Sequence, residues 1–298
     1  MKRLLMSALL VTSLLLTIFP LGVLAQPDNL GSTKATNIEL VKKVTLKGPG
    51  AKGGKPSSGV ATGALGEPCA GNKYAIIIGI EDYPGTANDL QYAVDDAEDM
   101  RKVLVDNYGF QTDHIKFIKN TAATKTAIFD AIEEVENTVG AEDEVVFFFS
   151  GHGAKGRVDD GDFNKTDQSI VVNNDTQTDF EYIWDGELVQ WFDSFPIKRL
   201  VFIFDSCLSG GMSVLDGSGR VVNMACSANG LSYESADWGG GHGQFTYYFV
   251  EQGMNNRYAD VKPEDQQVTD EEAFDYAKAN CQFQTPVIAD KFTNDLLP

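Results

Sequence analysis

The feature that most constrains this chain is a series of short apolar runs separated by amphipathic segments. Residues 74–80, 145–149 and 199–204 are too short for helices and rich in β-branched or aromatic side chains, which is typical of buried strands. Residues 92–108 and 122–138 place their apolar side chains on one face, as helices on a sheet do. Further strands are predicted at 115–118 and 221–225, and further helices at 187–195, 245–252 and 270–279. The alternation predicts an α/β fold: a three-layer sandwich with a mostly parallel central sheet flanked by helices.

The two segments before this pattern predict export and a tether. Residues 1–25 begin with a basic pair, continue as an apolar run and end in small residues, which predicts a signal peptide cleaved before Gln26. The alternative is an uncleaved membrane anchor. Residues 26–72 are rich in Gly, Ser and Pro near their end and are interpreted as a flexible linker or a pro-segment. Residues 73–298 then form the folded domain, in a secreted or cell-envelope location.

The net charge is −19, although the first 72 residues are net basic. A strongly acidic domain argues against nucleic acid as a partner and favours cationic ligands or basic peptides, unless the charge serves solubility alone. Export permits disulfides among the four cysteines. A bridge between Cys69 and Cys281 is conceivable, but sequence does not decide the connectivity.

Two polar motifs follow predicted strands. SGHG at 150–153 follows one buried strand, and DSCLSGG at 205–211 follows another. Because parallel strands end at the same edge of a sheet, His152 and Cys207 can meet there. An imidazole within reach of a thiol can take its proton, which activates the sulfur as a nucleophile. Taken alone, the first motif is more often a turn and the second more often a buried thiol, whereas the pair indicates catalysis.

Glycines flank both motifs. They let the backbone turn sharply and approach a substrate closely. The backbone N–H groups of Gly153 and Cys207 are therefore candidates for stabilising an oxyanion.

The runs YAIIIGI, AVDDAEDM, DEVVFFFSGHG and KRLVFIFDSC resemble caspase-like cysteine peptidases of the caspase and haemoglobinase clan, most closely metacaspases and bacterial caspase-domain proteins. The resemblance spans roughly residues 73–290. It implies that His152 is the general base, Cys207 the nucleophile and Ser150 a lining residue of the specificity pocket. The chain departs from caspases, which have Gln-Ala-Cys-x-Gly around the nucleophile, and from metacaspases, which usually have histidine where Leu208 stands.

Substrate preference is predicted from two carboxylates. Asp205 stands two residues before Cys207, so on an extended strand both side chains lie on one face, and a carboxylate there favours arginine or lysine. Asp96 resembles the position that supplies a second pocket carboxylate in metacaspases. Alternatively, Asp96 belongs to a solvated acidic cluster at the start of a helix. Cleavage after Arg or Lys is therefore expected, with protein or peptide substrates that carry basic residues and no stable membrane span after signal cleavage.

An acidic segment follows the histidine motif. Residues 159–175 contain five aspartates but lack the final glutamate of an EF-hand. They form either a solvated loop or, as the metacaspase resemblance implies, a calcium site with Asp167 and Asp175 as candidate ligands. The chemistry itself needs no cofactor, so calcium would act only as an activator.

Several alternatives stay open. The fold could serve a non-catalytic acidic binding module, or a legumain-like asparaginyl peptidase or transpeptidase. His242 is a weaker candidate for the base because it follows no apolar strand, and Cys226 is expected to pack. Arg220 lies where relatives are often cut, but a single-chain active form is equally compatible with the sequence.

Overall fold

The computed structural model describes residues 34–47, 59–159 and 166–298, which belong to one compact unit. The predicted signal peptide at 1–25 lies outside these residues, as does part of the acidic segment expected to bind calcium. Within the described ranges no helix is long and apolar enough to cross a membrane.

The described elements alternate along the chain from residue 73 onward. The strands are Thr36–Val41 (β1), Val44–Thr45 (β2), Lys73–Gly79 (β3), Ile115–Lys119 (β4), Glu144–Ser150 (β5), Gly153–Arg157 (β6), Asp167–Asn173 (β7), Phe180–Trp184 (β8), Leu200–Asp205 (β9), Arg220–Met224 (β10), Tyr233–Ser235 (β11), His242–Gly243 (β12) and Val287–Asp290 (β13). The helices are Ala93–Tyr108 (α1), Lys125–Glu136 (α2), Asp185–Phe192 (α3), Gln244–Thr246 (α4, continued by π-helical turns over Tyr247–Asn255) and Asp270–Asn280 (α5).

The central sheet has the order β13-β10-β9-β5-β3-β4. Four of its five pairings are parallel, and the edge strand β13 is antiparallel to β10. Apolar side chains of β5 alternate between two covered faces, which explains a continuous hydrophobic run. Phe148 packs in the core beneath α1, α4 and α5, whereas Phe147 packs edge-on against Phe192 of α3 with ring centroids 5.5 Å apart. The predicted α/β sandwich with a mostly parallel sheet is confirmed.

Residues 34–47 form edge strands of two smaller sheets. β1 pairs antiparallel with β6 in the sheet β1-β6-β7-β8, and β2 pairs parallel with β11 in the sheet β12-β11-β2. Of the two interpretations of residues 26–72, a flexible linker therefore does not describe this stretch, because its backbone groups complete two sheet edges. Residues 60–63 are also bound to the domain by hydrogen bonds: the Val60 N–H donates to Asp275 (2.8 Å) and the Gly63 N–H to Asp295 (2.6 Å).

All four cysteines lie among the described residues and all are free thiols. The bridge between Cys69 and Cys281 that the sequence permitted is therefore not formed.

Two acids at the start of α5 are fully buried. Asp270 accepts hydrogen bonds from Asn223, and Glu271 accepts one from the Leu296 N–H at 2.8 Å. Burial raises the pKa of Asp270 to about 7, although the bond from Asn223 opposes this. Burial, and after it the charge of Asp270, raise the pKa of Glu271 to about 9. The folded state therefore favours the protonated forms.

This burial predicts a pH-dependent stability that Glu271→Gln removes. Because the folded pKa lies above the ordinary 4.5, the folded state binds this proton more tightly, and stability falls as the pH rises from 4.5 towards about 9. Glutamine keeps an acceptor for Leu296 without ionising. We expect the variant to gain about 2 kcal/mol over the parent at pH 8.5 and little at pH 5 in thermal unfolding. Glu264→Gln, at an exposed position, should change neither value. A gain of equal size at both pH values would contradict the assignment.

Candidate active site

The register of two parallel strands brings the two sequence motifs together. Ser150 of β5 pairs with Asp205 of β9, and the Gly151 N–H donates to the Asp205 carbonyl at 3.3 Å. His152 and Cys207 each stand two residues beyond that pair. Equal offsets from aligned strand ends place both at the carboxyl edge of the central sheet, where sites of this fold class form.

The imidazole of His152 is buried, with 1% of the residue exposed. It stacks on the Tyr83 ring with centroids 4.6 Å apart, and Nε2 lies 2.7 Å from the Asn88 carbonyl oxygen. Because a carbonyl only accepts, Nε2 carries the proton and Nδ1 offers its lone pair. Burial, which outweighs the bond to Asn88, lowers the pKa of His152 to about 4. The ring is therefore neutral and presents a basic nitrogen.

The thiol of Cys207 is also buried, with 1% of the residue exposed. Its Sγ accepts a hydrogen bond from the Ser232 N–H at 3.2 Å. Burial raises the pKa of Cys207 to about 12, despite that bond. Gly153 lies directly against Cys207, because a Cβ at 153 would overlap the Cys207 carbonyl. The next residue, Leu208, adopts a left-handed backbone with φ 62°, which is a strained conformation outside glycine.

The three residues predicted to bind substrate lie together. Asp205 Oδ2 accepts from the N–H and hydroxyl of Thr246 at 3.0 and 2.8 Å. Asp96 accepts from the Gly243 N–H at 2.9 Å and from the Ser150 hydroxyl at 2.7 Å. Asp96, Asp205 and Ser150 each have 0% exposure. They form a closed acidic pocket beside the strand ends.

The pocket holds a cation from the chain itself. Lys43 Nζ lies 3.0 Å from Asp205, 3.3 Å from Asp96 and 3.0 Å from the Ser150 hydroxyl, with no exposed side-chain surface. Burial alone would lower the pKa of Lys43, but attraction to Asp205 and Asp96 raises it above its ordinary value. Burial raises the pKa of Asp96 to about 6, while Lys43 opposes the rise. Glycine is required at 243, since a Cβ there would meet both carboxylates and the ammonium.

The segment that carries Lys43 also covers the thiol and the imidazole. We call residues 36–45 the strap. The Lys42 carbonyl oxygen lies 3.2 Å from Cys207 Sγ, and the Lys43 N–H donates to His152 Nδ1 at 3.0 Å. In the sequence analysis these two lysines contributed only to the basic charge of a linker or pro-segment. The signal that was available is the alternation of polar and apolar residues in TNIELV, followed by the basic pair.

The two candidate calcium ligands do not converge. Asp167 begins β7 and accepts from the Val158 N–H at 2.8 Å, whereas Asp175 lies beyond the other end of β7 and accepts from the Thr126 hydroxyl at 3.1 Å. A strand of that length separates them by roughly 20 Å, too far for one ion. Across the described parts of the chain there is no group of three His, Cys, Asp or Glu residues that could hold a metal. These residues therefore do not fit a shared calcium site.

The remaining candidates lie apart from the thiol. His242 Nε2 is 2.6 Å from Asp99, and although burial opposes it, this bond helps raise the pKa of His242 to about 9, which suits an ion pair better than a base. Cys226 packs against Ser209 at 3.5 Å. Arg220 lies in β10, where its guanidinium donates to a backbone carbonyl at 2.7 Å.

Comparisons with known proteins agree on one family. The family model of the caspase domain matches residues 72–289. Metacaspase-4 of Arabidopsis thaliana is 32% identical over 148 residues, which are 47% of this chain and 34% of that protein. Metacaspase-1 of Schizosaccharomyces pombe is 29% identical over 192 residues, which are 57% of this chain and 44% of that protein. The chain thus matches less than half the length of each of these relatives.

A solved structure adds a likeness of fold. The crystal structure of protein GSU0716 from Geobacter sulfurreducens superposes with a TM-score of 0.56 and covers 76% of this chain and 95% of that one. At 18% sequence identity the similarity concerns the fold alone.

The buried contact between Lys43 and Asp96 predicts a large coupling in a double-mutant cycle. Asp96→Asn leaves a buried ammonium with one carboxylate fewer, and we expect it to lower the free energy of unfolding by about 3 kcal/mol. Lys43→Met in the same chain should recover at least about 1 kcal/mol of that loss in urea unfolding.

The matched control is the surface pair of Lys102 and Asp106, whose side chains are 60% and 51% exposed. Its coupling should be about 0.5 kcal/mol or less. Equal couplings for the buried and the exposed pair would show that Lys43 does not occupy the pocket.

Proposed function

The chain belongs to the caspase-domain family of peptidases, and we propose that it is a cysteine endopeptidase of the metacaspase type that cleaves after arginine or lysine. One observation carries the proposal: the Lys43 ammonium lies between Asp96 and Asp205, while the backbone of Lys42 and Lys43 contacts the thiol of Cys207 and the imidazole of His152. A pocket with two buried carboxylates and a hydroxyl suits a cationic side chain. An acidic or neutral side chain would leave these carboxylates unpaired.

In the first chemical step His152 Nδ1 takes the proton of the Cys207 thiol. The thiolate attacks the carbonyl carbon of the substrate residue whose basic side chain fills the pocket. Negative charge then develops on the carbonyl oxygen, for which the N–H groups of Gly153 and Cys207 are the candidate donors. His152 returns the proton to the leaving amine, so the peptide bond breaks and a thioester to Cys207 forms.

In the second step water replaces the amine. His152 takes a proton from water, the hydroxide attacks the thioester carbon, and the thiol leaves with that proton. The contact of Nε2 with the Asn88 carbonyl supports this role, since it keeps the tautomer with a free Nδ1 in both steps.

Two other functions make different demands on the same site. A legumain-like asparaginyl peptidase would place a neutral amide between Asp96 and Asp205, which would leave both charges buried without a cation. A non-catalytic binding module would need neither a neutral imidazole nor a thiol at this edge of the sheet. Neither alternative accounts for the contacts as well as a basic-specific peptidase does.

Location and activation are proposed from the sequence. We infer export from the signal-peptide pattern of residues 1–25. Calcium activation stays a prediction from the metacaspase resemblance, and an assay with and without a chelator tests it. Asp167 and Asp175 offer it no support, since they lie at opposite ends of β7.

The test is a profile of peptide amides that differ in the residue before the scissile bond. We expect hydrolysis after Arg and Lys, with kcat/KM at least about 100-fold above that for Asn or Asp, because a neutral or acidic residue leaves the pocket charges unpaired. Since the strap covers the site, the assay uses the full chain and its Lys43→Ala variant, and activity in either supports the proposal. Preference for Asn would instead favour the legumain-like alternative.

Two thiol variants identify the nucleophile. Cys207→Ala should abolish hydrolysis in whichever chain is active, and Cys226→Ala should retain most of it, since the Cys226 thiol contacts Ser209. Activity that survives Cys207→Ala, or hydrolysis of none of the peptides by either chain with or without calcium, would refute the proposed function.

A further inference from the structure

We propose that the strap is a built-in inhibitor of this site, bound in a register that protects its own peptide bonds from cleavage. The inference rests on the proposed function, because it uses the acidic pocket as the subsite for the residue before the scissile bond. It adds a regulatory role for residues 36–45 and excludes Lys43 as a self-processing site.

The strap occupies the positions that a substrate needs. The Lys43 ammonium fills the pocket of Asp96 and Asp205, so a substrate cation cannot enter while it is there. The same lysine donates its N–H to His152 Nδ1, the atom that would accept the thiol proton. The Lys42 carbonyl lies against Cys207 Sγ. One short segment therefore blocks the pocket, the base and the nucleophile together.

The register of the strap differs from that of a substrate. In a substrate cleaved after the pocket residue, that residue's own carbonyl faces the thiol. Here the peptide bond at the site is the one before the pocket residue: its oxygen, on Lys42, is 3.2 Å from Sγ, and its nitrogen, on Lys43, is 3.0 Å from Nδ1. After Lys43 the chain leaves along β11, with the Val44 N–H bonded to the Ser232 carbonyl at 2.9 Å.

The bond that does face the thiol is also poorly placed for attack. Sγ approaches the carbonyl oxygen of Lys42 as a hydrogen-bond donor would, and nucleophilic attack requires an approach to the carbon. Lys42 itself is exposed and its ammonium donates to the Ala87 carbonyl at 3.0 Å, outside the acidic pocket. Both lysines are thus held without a reactive geometry.

The strap keeps the two reacting groups in their neutral forms. Cys207 and His152 are each 1% exposed with the strap in place. A buried thiol hydrogen-bonded to a carbonyl oxygen and a buried imidazole that already accepts an N–H form no ion pair. Release of the strap opens Nδ1 and exposes the sulfur, which converts the site to a competent one.

The experiment measures alkylation of Cys207 by iodoacetamide, followed by mass spectrometry in the full chain, with the partly exposed Cys69 as the internal standard. Labelling of a covered thiol follows the fraction of molecules that are open. We expect Lys43→Ala and Lys43→Glu to raise the rate at Cys207 by about tenfold or more and to raise hydrolysis of Arg and Lys peptides in parallel. Lys47→Ala, at an exposed lysine two residues beyond the strap, should change neither rate.

A second variant covers the case in which those two do not fold. Lys43→Gln keeps a hydrogen-bond donor for the pocket but removes the charge, and an intermediate rate at Cys207 is expected. The two proposals fail differently. Faster labelling without hydrolysis of any peptide would keep the inhibitor and refute the peptidase. Equal labelling rates in parent and all Lys43 variants would overturn the inhibitor, whatever the hydrolysis.

The register is tested separately by amino-terminal sequencing of the parent chain after incubation with and without calcium. We expect the bond between Lys43 and Val44 to stay intact in molecules that turn over an added peptide. A new amino terminus at Val44, absent from Cys207→Ala, would overturn the protected register.

Discussion

The rest of the site depends on a buried ammonium between two carboxylates. Asp96 and Asp205 are completely covered, and two such charges close together are costly without a cation. Each is fixed by backbone and hydroxyl donors, so neither can turn away to solvent. A glycine at 243 makes the space for the charge. The pocket therefore requires a cation, which Lys43 of the strap supplies.

The central sheet determines where this pocket opens. Pairing of Ser150 with Asp205 aligns the ends of β5 and β9, so that His152 and Cys207, two residues further along each chain, lie at the same edge of the sheet. The side chains of the aligned pair itself enter the pocket, which links specificity to the same register as the chemistry. A slip of one residue between these strands would turn the side chains of the shifted strand to the opposite face and separate the two halves of the site.

Local sequence pattern predicted the central strands and the two motifs at their ends. The strands β1 and β2 depend on long-range pairing and were not predicted. The apolar runs around Phe147 and Phe202 predicted their strands because a buried parallel sheet tolerates no polar interruption. Polar strand ends predicted where His152 and Cys207 stand, and the structure brings them to one edge. β1 and β2 were missed because their partners, β6 and β11, lie more than a hundred residues away in sequence, and the short alternation in TNIELV does not identify those partners. Lys43 therefore looked like a solvated charge in a linker.

Because the strap is covalently joined to its own site, a modest intrinsic affinity for the pocket would suffice for the proposed inhibition. A segment joined to its own site acts at an effective concentration on the order of millimolar, whereas a free peptide competes at its actual concentration. If the strap is open in about one molecule in 100, the apparent affinity for a competing basic peptide falls by about the same factor. Substrate alone is then a poor activator of the proposed inhibited form. Because the proposed basic substrate would use the same two carboxylates as Lys43, mutations that strengthen recognition of basic residues are expected to tighten the strap as well. The register distinguishes the proposed inhibitor from a substrate. In a substrate the carbonyl at the thiol belongs to the residue in the pocket, whereas in the strap it belongs to the residue before it.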